Sequence, residues 1–131
     1  MAAAEDLAGI ALFDGLESDT RAAIADWFEL RSVSPGVRLT GEGASGYSFF
    51  VLRDGTATVT VNGIEVRTLA AGDFFGELAI LGDGRRTATV TTSSPALVLV
   101  LFGTEFRRLQ HEYPQLAGQI ESALRATAQA A

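Results

Sequence analysis

The chain changes its hydrophobic period twice, and the three sections this defines set the expected fold. Over residues 5–12, Leu7, Ile10, Ala11 and Leu12 fall at helical spacing, and Phe13-Asp14-Gly15-Leu16 interrupts them. A second helix is predicted from Ser18, a good N-cap, with Asp19 in its first turn to offset the helix dipole. Its inward stripe reads Ala23, Ile24, Trp27, Phe28 and Leu30, and Ser34-Pro35-Gly36 closes the helical section. Trp27, the single tryptophan, is assigned to core packing. From Val37 the period drops to two. Strands are expected over 37–40, 48–53, 56–61, 64–69, 86–93 and 96–102. Asp54-Gly55 and Asn62-Gly63 both carry the hairpin signature, because the two central residues of a type I′ turn need positive φ. After the last strand, Thr104 is expected to cap a helix through Tyr113 with Phe106 and Leu109 inward. Pro114 then opens a final helix whose Leu116, Ile120, Ala123 and Leu124 share one face. That face must cover either this domain or another chain.

Composition narrows the function classes. At 131 residues the chain is long enough for one hydrophobic core, and 47% hydrophobic with 20% charged residues is the balance of a globular domain. Its longest apolar run, 96–102, is far short of the roughly 20 residues that span a bilayer. The alanine-rich start lacks the positive region of a signal peptide, and there is no cysteine, so a cytoplasmic protein without disulfides is expected. A net charge of −6 opposes direct binding to nucleic acid, which depends on a basic face. All ten basic residues are arginines, so Schiff-base and Walker-type lysine chemistry are excluded, while planar anion recognition is not. The alanine-rich, lysine-free composition suggests a bacterial source.

One stretch concentrates the chemistry, running from Asp73 through Phe74-Phe75-Gly76-Glu77-Leu78-Ala79-Ile80-Leu81 to Gly82-Asp83-Gly84-Arg85-Arg86-Thr87-Ala88. Strand-like patterns lie on both sides, so Gly76 to Leu81 reads as a short helix beginning at a glycine. The free N–H groups of such a helix start form an anion site. Glu77 adds a carboxylate for a sugar hydroxyl, and Arg86 follows across the Gly-Asp-Gly turn. Helix N-terminus and arginine suit a phosphodiester; the carboxylate suits a ribose. Arg85 and Arg86 are neighbours at a strand start, and alternation sends only one of them into a pocket.

Phe75-Gly76-Glu77-Leu78-Ala79 followed by Arg86-Thr87-Ala88 resembles the phosphate-binding cassette of the cyclic nucleotide-binding domain family, which includes the catabolite activator, protein kinase A regulatory subunits and cyclic nucleotide-gated channels. Arg85 departs from the pattern, standing where many relatives have proline. The resemblance implies that Glu77 and the Gly76 N–H hold the ribose 2′-hydroxyl, while the Leu78 and Ala79 amides, Arg86 and Thr87 hold the cyclic phosphate. An apolar wall including Val59 would face the base. No aromatic is available in the last helix for a lid, which leaves Arg125 or Thr127. Cyclic AMP is favoured over cyclic GMP, although Thr87 is compatible with either.

Competing signals are weaker. Gly41-Glu42-Gly43-Ala44-Ser45-Gly46 fits G-x-G-x-x-G, but a strand follows it where a dinucleotide fold needs a helix, so it reads as a glycine-rich turn. His111 is the only histidine, which rules out a histidine-based triad or metal cluster, and no acidic run has EF-hand spacing. Glu42 with Glu77 is the sole acid pair worth weighing for hydrolysis, and no nucleophile accompanies it. No catalytic residue, metal or cofactor is expected, and the protein is read as a non-enzyme. The expectation is a single mainly β domain with flanking helices: helical residues 1–33, an antiparallel, jelly-roll-like β-roll over 37–102 with the cassette at 74–89, and C-terminal helices over 104–130. It would sense a cyclic purine nucleotide and relay occupancy through its last helix to a protein partner or fused effector. A homodimer through that helix is one expected assembly. The alternative is a degenerate roll serving only assembly, without nucleotide binding.

Overall fold

The computed structural model describes residues 2–40, 48–76 and 89–130. Two short helices, α1 (Ala4–Leu7) and α2 (Ser18–Ala25), flank a 3-10 turn over Ala11–Phe13. Their apolar residues Leu7, Ile10, Phe13 and Ile24 are buried together, with the Phe13 and Phe28 rings meeting edge to face at 5.7 Å. The helical section ends earlier than its stripe suggests. Trp27 and Phe28 close turns onto Ile24 and Ala25, and β1 (Glu29–Val33) then pairs with the strand over 96–102. Leu30 sits opposite Leu99 there, so burial against a neighbouring strand outweighs the helical spacing. Helix starts also shift by a residue or two from the expected caps: Glu17 and Phe102 hold the N-cap positions expected of Ser18 and Thr104.

Two four-stranded antiparallel sheets form the body. The strands are β2 (Arg38–Thr40), β3 (Ser48–Asp54), β4 (Ala57–Val61), β5 (Ile64–Leu69), β6 (Phe74–Gly76), β7 (Thr89–Thr92) and β8 (Ala96–Phe102). Their order is β1-β8-β3-β6 in the first sheet and β2-β7-β4-β5 in the second. The central strands of the first sheet are buried on both faces. Phe49, Val51, Leu99 and Leu101 pack under the helices, while Phe50, Leu52, Val98 and Val100 meet Ala57, Val59, Leu69 and Val90 of the second sheet. The second sheet keeps one solvated face, which is why Thr58, Thr60, Thr89 and Thr91 alternate with buried neighbours.

Of the two expected hairpins, one forms. Asn62 at φ 53° and Gly63 at φ 78° join β4 to β5. Asp54-Gly55 does not make a hairpin, because β3 and β4 belong to different sheets. Gly55, at φ 97°, lets the chain cross between them pressed against the β7–β8 crossing, where a Cβ would stand 2.5 Å from the Pro95 carbonyl oxygen. The two crossings are stapled side by side: the Thr56 N–H donates to Ser94 Oγ at 2.9 Å and the Ser93 N–H to the Thr56 carbonyl at 3.0 Å.

The chain finishes in α3 (Gly103–Glu112) and α4 (Pro114–Ala130), the latter opening on its proline as expected. Leu116, Ala117 and Ile120 join Phe106 and Leu109 in the cluster beneath the helices. The apolar face of α4 therefore covers this domain's own core. Its exposed positions at Gln115, Gly118, Gln119 and Ser122 are polar or small.

Candidate functional site

A turn positions the entrance to the cassette. The Ala70 N–H donates to Asp73 Oδ2 at 2.8 Å, Gly72 adopts φ 95°, and the Leu52 N–H donates to the Asp73 carbonyl at 2.8 Å. These bonds lay β6 along β3, with Phe74, Phe75 and Gly76 opposite Val51, Phe50 and Phe49. Gly76, expected as the first residue of a helix, is thus the last residue of an edge strand. The sequence reading had no strand here, because three residues are too few to show a period.

Phe75 is buried and its ring stacks on Phe50, with centroids 4.9 Å apart and planes 10° from parallel. The same cluster contains Val59, the residue named for an apolar wall, and Val90, which sits opposite Val59 across β4 and β7. β6 thus ends on the edge of the first sheet and β7 begins in the interior of the second, and Phe75 of one and Val90 of the other share one apolar cluster. Glu77, Leu78, Ala79, Arg86, Thr87 and Ala88 lie outside the described residues, as do Arg85 and the glycine-rich turn at 41–46. The side chains of Arg125 and Thr127, named as lid candidates, also lie outside what is described. α4, which carries them, packs against β6 as well as α3. Phe50 and Val90 belong to the same cluster and were not singled out from the sequence; each alternates inward on its strand, which was the available signal.

Comparison with known proteins places this geometry. Residues 30–113 match the family model for the cyclic nucleotide-binding domain. The chain belongs to that family. This cyclic nucleotide-binding domain is 34% identical over 118 residues to the cAMP-dependent protein kinase regulatory subunit of Hypocrea atroviridis, covering 90% of the chain and 24% of the relative. It is also 34% identical over 91 residues to the cGMP-dependent protein kinase of Eimeria tenella, covering 70% of the chain and 9% of that relative. Among solved structures, it resembles the regulatory domain of Toxoplasma gondii PKA crystallised with cAMP, at 26% identity and a TM-score of 0.80, over 98% of this chain and 49% of that one. The domain spans a quarter or less of these two curated relatives. Its family is regulatory, and the match is to a binding domain instead of a catalytic one. Among the described residues, no helix is long and apolar enough to cross a membrane.

Proposed function

We propose that this domain is a sensor that binds a cyclic purine mononucleotide, cyclic AMP in preference to cyclic GMP, and passes occupancy through α4 to a protein partner or fused effector in the cytoplasm. The observation that carries the reading is the coincidence of motif and fold: the cassette signature begins as β6 ends, Arg86-Thr87-Ala88 directly precedes β7 in the sequence, and Val59, Phe75 and Val90 of the flanking strands form one apolar cluster. Two relatives named above are cyclic nucleotide-dependent kinases or their regulatory subunits, which supports the ligand class. The cAMP-dependent name of one and the cAMP in the solved neighbour support the preference.

In this reading the amides of residues 76–79 and the Arg86 guanidinium receive the cyclic phosphate, with Thr87 beside it, and Glu77 binds the ribose 2′-hydroxyl. The base lies on the apolar wall. Contact between α4 and the cassette's entry strand supports α4 as the relay, because a shift of β6 reaches the helix directly. Arg125 or Thr127 would close over the ligand. A homodimer through α4 has only the polar face around Gln119 to use among the described turns.

Titration calorimetry tests the assignment. Cyclic AMP is expected to bind one to one and more tightly than cyclic GMP, with 5′-AMP far weaker. Glu77→Ala should cost about tenfold for cyclic AMP, the loss of one charge-assisted hydrogen bond, and should erase the preference for cyclic AMP over its 2′-deoxy analogue. Retention of that preference in Glu77→Ala would remove the ribose contact from the proposal.

A further inference from the structure

A cleft outside the nucleotide site carries a chemistry of its own. It has a volume of about 840 Å³ and opens between the turn after α2, the start of β1, the end of β8 and α3. Trp27 and Phe102 form its aromatic walls, and Phe102 is 38% exposed. Each ring already carries one of the chain's own guanidiniums: Arg108 lies 4.4 Å from the Trp27 centroid and Arg31 lies 5.5 Å from that of Phe102. Arg31 Nε donates to Glu29 Oε1 at 2.8 Å, and this bond holds the Glu29 carboxyl below the usual carboxylate range. Arg108 Nε donates to Glu112 Oε2 at 2.9 Å, with Glu105 Oε2 at 3.9 Å from its Nη1.

Negative charge remains after these pairs are made. Of the carboxylates that line the cleft, Glu29 is matched by Arg31, Glu105 shares Arg108 with Glu112, and Asp26 is exposed with no ion pair among the described residues. A strand edge begins at the cleft. β1, whose first residues Glu29 and Leu30 line it, is the edge strand of its sheet and pairs among the described residues with β8 alone; the Phe28 carbonyl just before it takes the Ala2 N–H.

We propose that this cleft docks an extended, arginine-rich segment of a partner protein. The partner's main chain adds to the outer edge of β1, while its guanidiniums pair with Asp26 and Glu105 and lie against the aromatic walls. The chain's net charge of −6 favours approach of a basic segment. A small cation would use the walls and carboxylates but leave the strand edge unpaired.

Trp27 is the only tryptophan, so its emission reads the cleft directly. The probe is the peptide acetyl-(Gly-Arg)3-amide, with acetyl-(Gly-Glu)3-amide as its acidic twin. A saturable change in Trp27 emission is expected with the basic peptide alone, unaltered by saturating cyclic AMP. Asp26→Arg and Glu105→Gln should each weaken it by about tenfold. Glu65→Arg on β5, which changes net charge as Asp26→Arg does but lies in the other sheet, should leave it within about twofold. Equal loss in Glu65→Arg would reduce the effect to general attraction and overturn the site. So would equal binding of the acidic twin, or no response up to about 1 mM peptide. Emission that changed with protein concentration alone would assign the cleft to a second copy of the chain.

Discussion

Arg86→Ala is expected to weaken cyclic AMP binding by about ten- to a few-hundredfold, the largest loss available from one side chain of the cassette. A charge-assisted hydrogen bond is worth about 1.5 to 3 kcal/mol, and each 1.36 kcal/mol is a factor of ten. The loss exceeds that of Glu77→Ala because the ligand's charge lies on the phosphate, and removing the guanidinium leaves an anion without its partner. Arg86→Lys should recover only part of the affinity, since an ammonium offers a point charge in place of a planar two-toothed donor. Calorimetric titration of the three proteins checks this order. Arg85→Ala is the internal control: the motif's arginine position, followed by Thr-Ala, is filled by Arg86 and not by Arg85, so its affinity should stay near that of the unaltered domain.

The second large effect concerns stability. Phe49 is fully buried on β3, where it pairs with Leu101 of β8 and Gly76 of β6 and lies 6.0 Å from the Phe74 ring. Phe49→Ala removes that ring from the cluster joining the first sheet to all the helices, and a loss of about 3 to 5 kcal/mol is expected. Against a total of about 5 to 15 kcal/mol this is a large share, and the melting temperature should fall by on the order of 10 °C. Phe102→Ala, at an exposed ring on the neighbouring strand, should cost about 1 kcal/mol or less. Urea unfolding of both variants separates the two costs. Nearly equal midpoints would show that the cluster beneath the helices is not what holds the fold.

Legibility from sequence followed the strength of each local pattern. β5 and β8 were read to the residue and β3 and β4 to within one, because alternation or a continuous apolar run extended over five residues or more. Asn62-Gly63 was read correctly because its two positive-φ residues specify a hairpin by themselves. Asp54-Gly55 carries the same signature and was misread: whether a turn joins strands of one sheet or passes between sheets depends on what lies against it, here Pro95 and Ser94 from far along the chain. β1 was hidden for a related reason. Glu29–Val33 continues a helical stripe locally and becomes a strand only because β8 offers it an edge. At the site, the chemistry-bearing residues stood out through their motif. Phe50 and Val90, which share a cluster with Val59 and Phe75, did not, since an inward strand position looks the same whether it packs core or faces a ligand.

The nucleotide reading is tested most directly by melting the unaltered domain alone and with cyclic AMP, cyclic GMP or 5′-AMP, beside Arg86→Ala. A ligand of the native state present at a hundred times its dissociation constant adds about 2.7 kcal/mol. The melting temperature should therefore rise by several degrees with cyclic AMP, less at equal concentration with cyclic GMP, and hardly at all with 5′-AMP. In Arg86→Ala the rise at the same cyclic AMP concentration should fall to about half or less, in step with the lost affinity. An unchanged melting temperature with both cyclic nucleotides at millimolar concentration would contradict the sensor and leave a β-roll whose role is assembly.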